Sequence, residues 1–185
     1  GGEHKTCSNR FCWQLGDLTE GYDHKYTYSH LGYNLKITDM QAACALAQMD
    51  RLDDFIVSRK RNFAWLSERL AGSADQLILP YATPGSDPSW FGFPITLRDG
   101  CGVERVELLR HLDVQKVGTR LLFAGNLTRQ PYMQGQQYRV SGELTVTDKV
   151  MRDTFWIGLW PGLTEDYLEH AVSSIESCLK RGTGQ

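Results

Sequence analysis

The chain has 185 residues, 41% of them hydrophobic, which suits one domain with a sizeable core and is too apolar for a disordered tail. Twenty Lys and Arg against 22 Asp and Glu leave a net charge of −2, so there is no basic excess to neutralise a nucleic-acid backbone. No apolar run reaches the ~18 residues of a membrane span, and Gly1-Gly2-Glu3-His4-Lys5 lacks the apolar stretch of a secretion signal. The five scattered cysteines are too sparse for a disulfide scaffold and fit a reducing compartment, so a cytoplasmic protein binding neither nucleic acid nor membrane is expected.

Residues 1–37 carry Cys7, Cys12, His4, His24, His30 and the tyrosines Tyr22, Tyr26, Tyr28 and Tyr33, with no hydrophobic period longer than a turn. They read as loop. Rings with a hydroxyl pack against something while keeping a hydrogen bond, so a segment this rich points to protein beyond it.

Thr38-Asp39-Met40-Gln41 is a capping box and starts the connecting helices, 38–72. Met40, Ala43, Cys44 and Ala47, then Leu52, Phe55, Ile56, Phe63, Leu66 and Leu70, recur at helical spacing up to Gly72, a candidate C′ residue. One kinked helix or two consecutive ones satisfy this pattern. Burial is expected along it, and Ala42, Ala43, Ala45 and Ala47 would admit a second helix or subunit.

Residues 73–185 read as a small α+β domain. Ser89–Leu97 has strand composition, with Pro94 arguing for an edge or a bulge. A helix striped with Val103, Val106, Leu109 and Leu112 follows, then a strand at Val117–Phe123, a short helix, and a strand at Phe155–Trp160. The last helix opens at Thr164, runs its stripe through Leu168, Ala171, Val172, Ile175 and Leu179, and stops at Gly182.

Candidate chemistry gathers in two segments. Ser29–Lys36 places His30, Asn34 and Lys36 just before a helix start, where a phosphate can be received, although Gly32 and Asn34 equally suit a plain turn. Gly118–Tyr132 combines Arg120 and Arg129 with Asn126; guanidinium forks suit diphosphates and amides suit sugar hydroxyls, while arginines paired with surface acids remain the alternative. Trp13, Trp65, Trp90, Trp156 and Trp160 could stack on a base, most of them being expected in the core.

Gly21–Ala43, Trp90–Thr96, Gly118–Tyr132 and Phe155–Gly158 together resemble the DegT-type family of nucleotide-sugar aminotransferases and dehydrases, most closely its iron-sulfur 3-dehydratase branch. The resemblance covers nearly the whole chain. It implies the C-terminal lobe of a fold type I, aspartate-aminotransferase-like homodimer, a small sheet covered by helices. The implied activity uses pyridoxamine or pyridoxal 5'-phosphate to remove the C3 hydroxyl of a CDP-bound 4-keto-6-deoxy sugar. A 2Fe-2S cluster fed by a flavin-dependent NADH reductase would deliver the electrons.

By the same resemblance, Cys7 is a cluster ligand and Asn34 reaches the cofactor phosphate across the dimer interface, with His30 shaping that pocket. Lys36, Arg120, Asn126 and Arg129 would face the sugar nucleotide. The catalytic histidine and three further cluster cysteines would lie before Gly1, so these residues alone are expected to be inert. An aminotransferase of the same fold and a non-catalytic sugar-nucleotide-binding or dimerisation module are the rival expectations.

Overall fold

The computed structural model describes residues 35–182 together with Asp17, Glu20 and Tyr33; the expectations placed on Cys7, His30 and Asn34 lie outside the described residues. The chain divides into two compact units, Gly1–Leu46 and Ala47–Gln185.

Helix α1, Asp39–Met49, starts where the capping box places it. The Thr38 amide donates to Gln41 Oε1 at 2.9 Å, and the Gln41 amide donates to Thr38 Oγ1 at 3.3 Å. The expected burial is not found. No residue of α1 is buried, and Met40, Leu46 and Met49 are exposed; alanine, glutamine and methionine form the helix by propensity without needing a covered face.

A turn at Asp50–Arg51 separates α1 from helix α2, Leu52–Leu70, so the pattern resolves into two helices. Asp53 and Asp54 suit the positive end of α2. Gly72 does not form a left-handed cap: α2 ends on Ala71 in a right-handed conformation and runs into a 3-10 turn, Ala71–Ser73.

The remaining elements are strand β1 (Leu77–Ile78), β2 (Gly92–Leu97), helix α3 (Arg105–Val114), β3 (Thr119–Leu121), helix α4 (Thr145–Asp153), β4 (Thr154–Gly158) and helix α5 (Glu165–Gly182). The strands form one antiparallel sheet in the order β1-β2-β4-β3. Pro94 therefore lies in an interior strand rather than at an edge or bulge. It is tolerated because β1 pairs only with Leu97 and Thr96, leaving the flank of β2 at Pro94 without a strand partner on that side.

Alternation along β2 sends Phe93, Ile95 and Leu97 to one face, where Phe155 and Ile157 of β4 join them. Leu66 and Leu70 of α2, Leu108 and Leu112 of α3, and the α5 stripe close this inner face into one core. The α5 stripe holds as expected: Leu168, Ala171, Val172, Ile175 and Leu179 are all buried. The α3 stripe holds at Leu112, which is buried, and at Val103 and Leu109, which pack half-buried against the core. Val106 is exposed, and Leu108, outside the expected stripe, is buried in its place in a helix that begins at Arg105 behind a Glu104–Glu107 capping box.

The opposite, outer face carries the cross-strand pairs Pro94–Trp156 and Thr96–Thr154, the two threonine hydroxyls lying 2.7 Å apart. Helix α4 packs on this side, where Val146, Lys149 and Val150 line a hollow with Thr96. The result is the α+β arrangement that the element order implies, a small sheet with helices on it.

Candidate functional site

Strand β3 is shorter than expected, ending at Leu121, after which the chain turns away at Phe123. Phe123 takes φ 50, a left-handed conformation unusual for a bulky side chain, and its ring is 83% exposed. With Leu122 it joins Trp90, Phe91, Gly92, Pro94 and Trp156 around an apolar groove of about 220 Å3 on the outer side of the sheet. A Cβ on Gly92 would come within 2.3 Å of the Trp156 ring, so the indole lies against bare backbone there. The Trp156 indole N–H donates to the Leu121 carbonyl at 3.1 Å, tying the groove to the start of the loop.

Arg120 pairs with Trp156 across the β3–β4 ladder, which places both on the outer face. Arg120 is exposed, and among the described residues its guanidinium reaches only the neighbouring Thr119 carbonyl, at 3.1 Å. A mobile anion approaching the groove would meet this cation at its flank.

The loop after β3 is braced by polar contacts. Gln130 donates to the Ala124 carbonyl at 2.7 Å, and short 3-10 turns follow at Leu127–Arg129 and Pro131–Met133. Asn126 caps the first of these turns: its Oδ1 accepts from the Thr128 amide at 3.1 Å and from the Thr128 hydroxyl at 2.8 Å. Its Nδ2 donates to Asp148 Oδ1 at 2.6 Å, and only 3% of the residue is exposed. The Asn126 amide therefore holds the loop.

Arg129 forks onto the same carboxylate, Nε donating to Oδ1 at 2.6 Å and Nη2 to Oδ2 at 2.5 Å. The side chain of Arg129 is 61% exposed, so its other edge faces outward. The Arg129 and Asn126 hydrogen bonds draw the Asp148 carboxyl down to about 2. Sequence reasoning missed Asp148, which sits in the first turn of α4. The available signal was only the Val146–Val150 pair at i,i+4 with an acid between them.

A second charge cluster lies at the far end of α4. Asp153 is buried, which by itself raises its pKa, but hydrogen bonds from Arg152 and Lys149 outweigh that and hold the carboxyl below its ordinary value. Arg105 donates to the carbonyls of Met151 at 2.6 Å and Thr154 at 3.1 Å, fixing the α4–β4 corner. Among the described residues, every buried side-chain nitrogen and oxygen has a partner. This cluster thus reads as architecture.

Of the residues expected ahead of α1, Lys36 is described and exposed. At the helix start behind it, the capping box engages the Thr38 and Gln41 amides. For a cluster the described residues do not fit: Cys44 is exposed on α1, Cys101 and Cys178 are buried in the core, and no three His, Cys, Asp or Glu side chains gather as a metal site among them. Of the tryptophans, Trp65 and Trp90 are half-buried against the core as expected, Trp156 lines the groove, Trp160 is 67% exposed, and Trp13 lies outside the described residues.

Residues 12–176 match the model of the DegT/DnrJ/EryC1/StrS aminotransferase family. The chain is 62% identical over 171 residues to the lipopolysaccharide biosynthesis protein RfbH of Salmonella typhimurium, covering 92% of this chain and 39% of that protein. It is 49% identical over 174 residues to the dTDP-4-dehydro-2,6-dideoxy-D-glucose 3-dehydratase of Saccharopolyspora spinosa, covering 94% of this chain and 37% of that enzyme. The chain thus spans about two fifths of the length of these curated relatives. Among solved structures, an E. coli GDP-4-keto-6-deoxy-D-mannose-3-dehydratase with bound hydrated PLP superposes with a TM-score of 0.73 at 20% identity, covering 82% of this chain and 38% of that one.

Proposed function

The chain belongs to the DegT/DnrJ/EryC1/StrS aminotransferase family, and from that premise we propose that it forms part of a CDP-4-dehydro-6-deoxyglucose 3-dehydratase. The observation that carries this reading is the 49% identity, over 94% of the chain, to a nucleotide-sugar 3-dehydratase. Overall, the C3–OH bond of the 4-keto-6-deoxy sugar is replaced by C3–H, and two electrons and two protons are taken up as water leaves. The vitamin B6 phosphate, when bound, supplies the electron sink for that bond cleavage.

The chain's own residues would bind and orient. Arg120 and Arg129 meet the diphosphate from the outer face of the sheet, where both guanidinium groups are exposed. Asn126 acts through the loop it caps rather than on a sugar hydroxyl, since both ends of its amide are engaged. Asn34 and His30 are assigned to the cofactor phosphate and its pocket, and Lys36 to substrate charge. Cys7 is assigned to a 2Fe-2S cluster that a flavin-dependent NADH reductase reduces, in a cytoplasmic homodimer.

The test is to supply the full-length enzyme with CDP-4-dehydro-6-deoxyglucose, pyridoxamine phosphate, reductase and NADH, and to read the product by mass spectrometry. The 3-deoxy sugar and stoichiometric iron and sulfide are expected. A 4-amino sugar formed from an amino-acid donor, with no iron bound, would overturn the proposal in favour of transamination.

A further inference from the structure

We propose that Asp148 is the positioning residue for nucleotide-sugar recognition, gripping one edge of the Arg129 guanidinium so that the other edge is held ready for the substrate diphosphate. This rests on the reading of Arg129 as a diphosphate contact. The grip uses Nε and Nη2; no bond to Nη1 occurs among the described residues, and 61% of the side chain is exposed. A guanidinium has donors on two edges, so clamping the inner one leaves a parallel pair pointing outward.

Two further contacts make this a built arrangement rather than a chance surface pair. Asp148 also accepts from the buried Asn126 amide, whose oxygen caps the turn that carries Arg129. The carboxylate thus fixes both the guanidinium and the backbone beneath it. Three residues further along the same face of α4, Met151 lies against Gly125, where an added Cβ would come within 2.6 Å of its side chain. Gly125 sits at φ +63, so the loop is moulded onto α4 immediately before Asn126. Helix α4 is therefore the platform on which the substrate-facing loop is set.

The experiment compares wild type, Asp148→Asn, Arg129→Gln and the double variant in the cofactor-loaded full-length enzyme, measuring CDP binding by calorimetry and turnover of the CDP-sugar. Asp148→Asn removes the charge and, in either orientation of the amide, turns a donor toward one of the two Arg129 nitrogens. The CDP Kd and the substrate KM should rise about tenfold while kcat stays within about twofold, and the double variant should bind no more weakly than Arg129→Gln alone.

A fall in kcat at unchanged Kd, or additive losses in the double variant, would overturn the positioning role. If Arg129→Gln weakens CDP binding and Asp148→Asn does not, positioning fails while the Arg129 contact survives; if Arg129→Gln itself leaves Kd unchanged, both fail. Arg129→Lys tests the point should Asp148→Asn not fold. An ammonium is drawn to Asp148 as a point charge and offers no second edge, so it should lose about as much affinity as the glutamine variant. Wild-type Kd in Arg129→Lys would refute a held fork.

Discussion

The two faces of the sheet are built on opposite principles. The inner face is a run of apolar residues from β2 and β4, closed by α2, α3 and α5, and it is held by burial without direction. The outer face is aromatic and polar, and its parts are fixed by directed bonds: the Trp156 indole to Leu121, Thr96 to Thr154, and Asn126 and Arg129 to Asp148. Stability lies on one side and presented chemistry on the other. A non-directional core tolerates drift in its side chains, whereas a surface that must show guanidinium groups at set positions needs bonds with angles.

The largest effect should come from breaking the inner face. Phe155 is fully buried in a strand with neighbours on both sides, so Phe155→Ala should cost about 3–5 kcal/mol in urea unfolding. That is a large share of the 5–15 kcal/mol typical of a domain. A cost near that of an exposed site would show that the core is not what holds the sheet.

Gly125→Ala should come next. It places a side chain at φ +63 and drives a Cβ into Met151, which should cost about 2 kcal/mol by the same measurement and lift the loop from α4. Asn126→Ala should cost about 1–2 kcal/mol, since it removes a cap but leaves the Arg129–Asp148 pair in place. Both variants should weaken CDP binding in the full-length enzyme more than Phe155→Ala does at temperatures where all three remain folded. The reverse order would erase the distinction between the faces.

This division also sets what could be read from the sequence. The α5 stripe, the β2 alternation and the β4 strand are visible because burial repeats with the period of the element, so Leu168 to Leu179 and Phe93 to Leu97 announce their faces locally. Strand β1 is two residues long and has no period to show. Helix α4 offers only the valine pair, and in α3 the spacing that finds Leu112 also points to Val106, which is exposed, and passes over Leu108, which is buried. At the site, Arg120 and Arg129 are legible as guanidinium groups near a strand end. Their surroundings are not, because Asp148 meets Asn126 and Arg129 from separations of 22 and 19 residues. Only the fold brings that acid to that loop.

The smallest expected effect separates the faces by pH. Hydrogen bonds from Arg129, then from Asn126, hold the Asp148 carboxyl at about 2 in the folded chain, below its ordinary 3.8. A carboxyl more acidic folded than unfolded stabilises the fold fully above its unfolded pKa, and that contribution fades as pH falls through the folded value. Urea midpoints of wild type and Asp148→Asn should therefore keep a constant gap above about pH 4 and converge between about pH 4 and 2. Phe155→Ala removes only apolar contact, so its gap from wild type should not follow that curve. A gap for Asp148→Asn that persists unchanged to pH 2 would mean that its shape rather than its charge anchors the loop, and the outer face would then be held much as the inner one is.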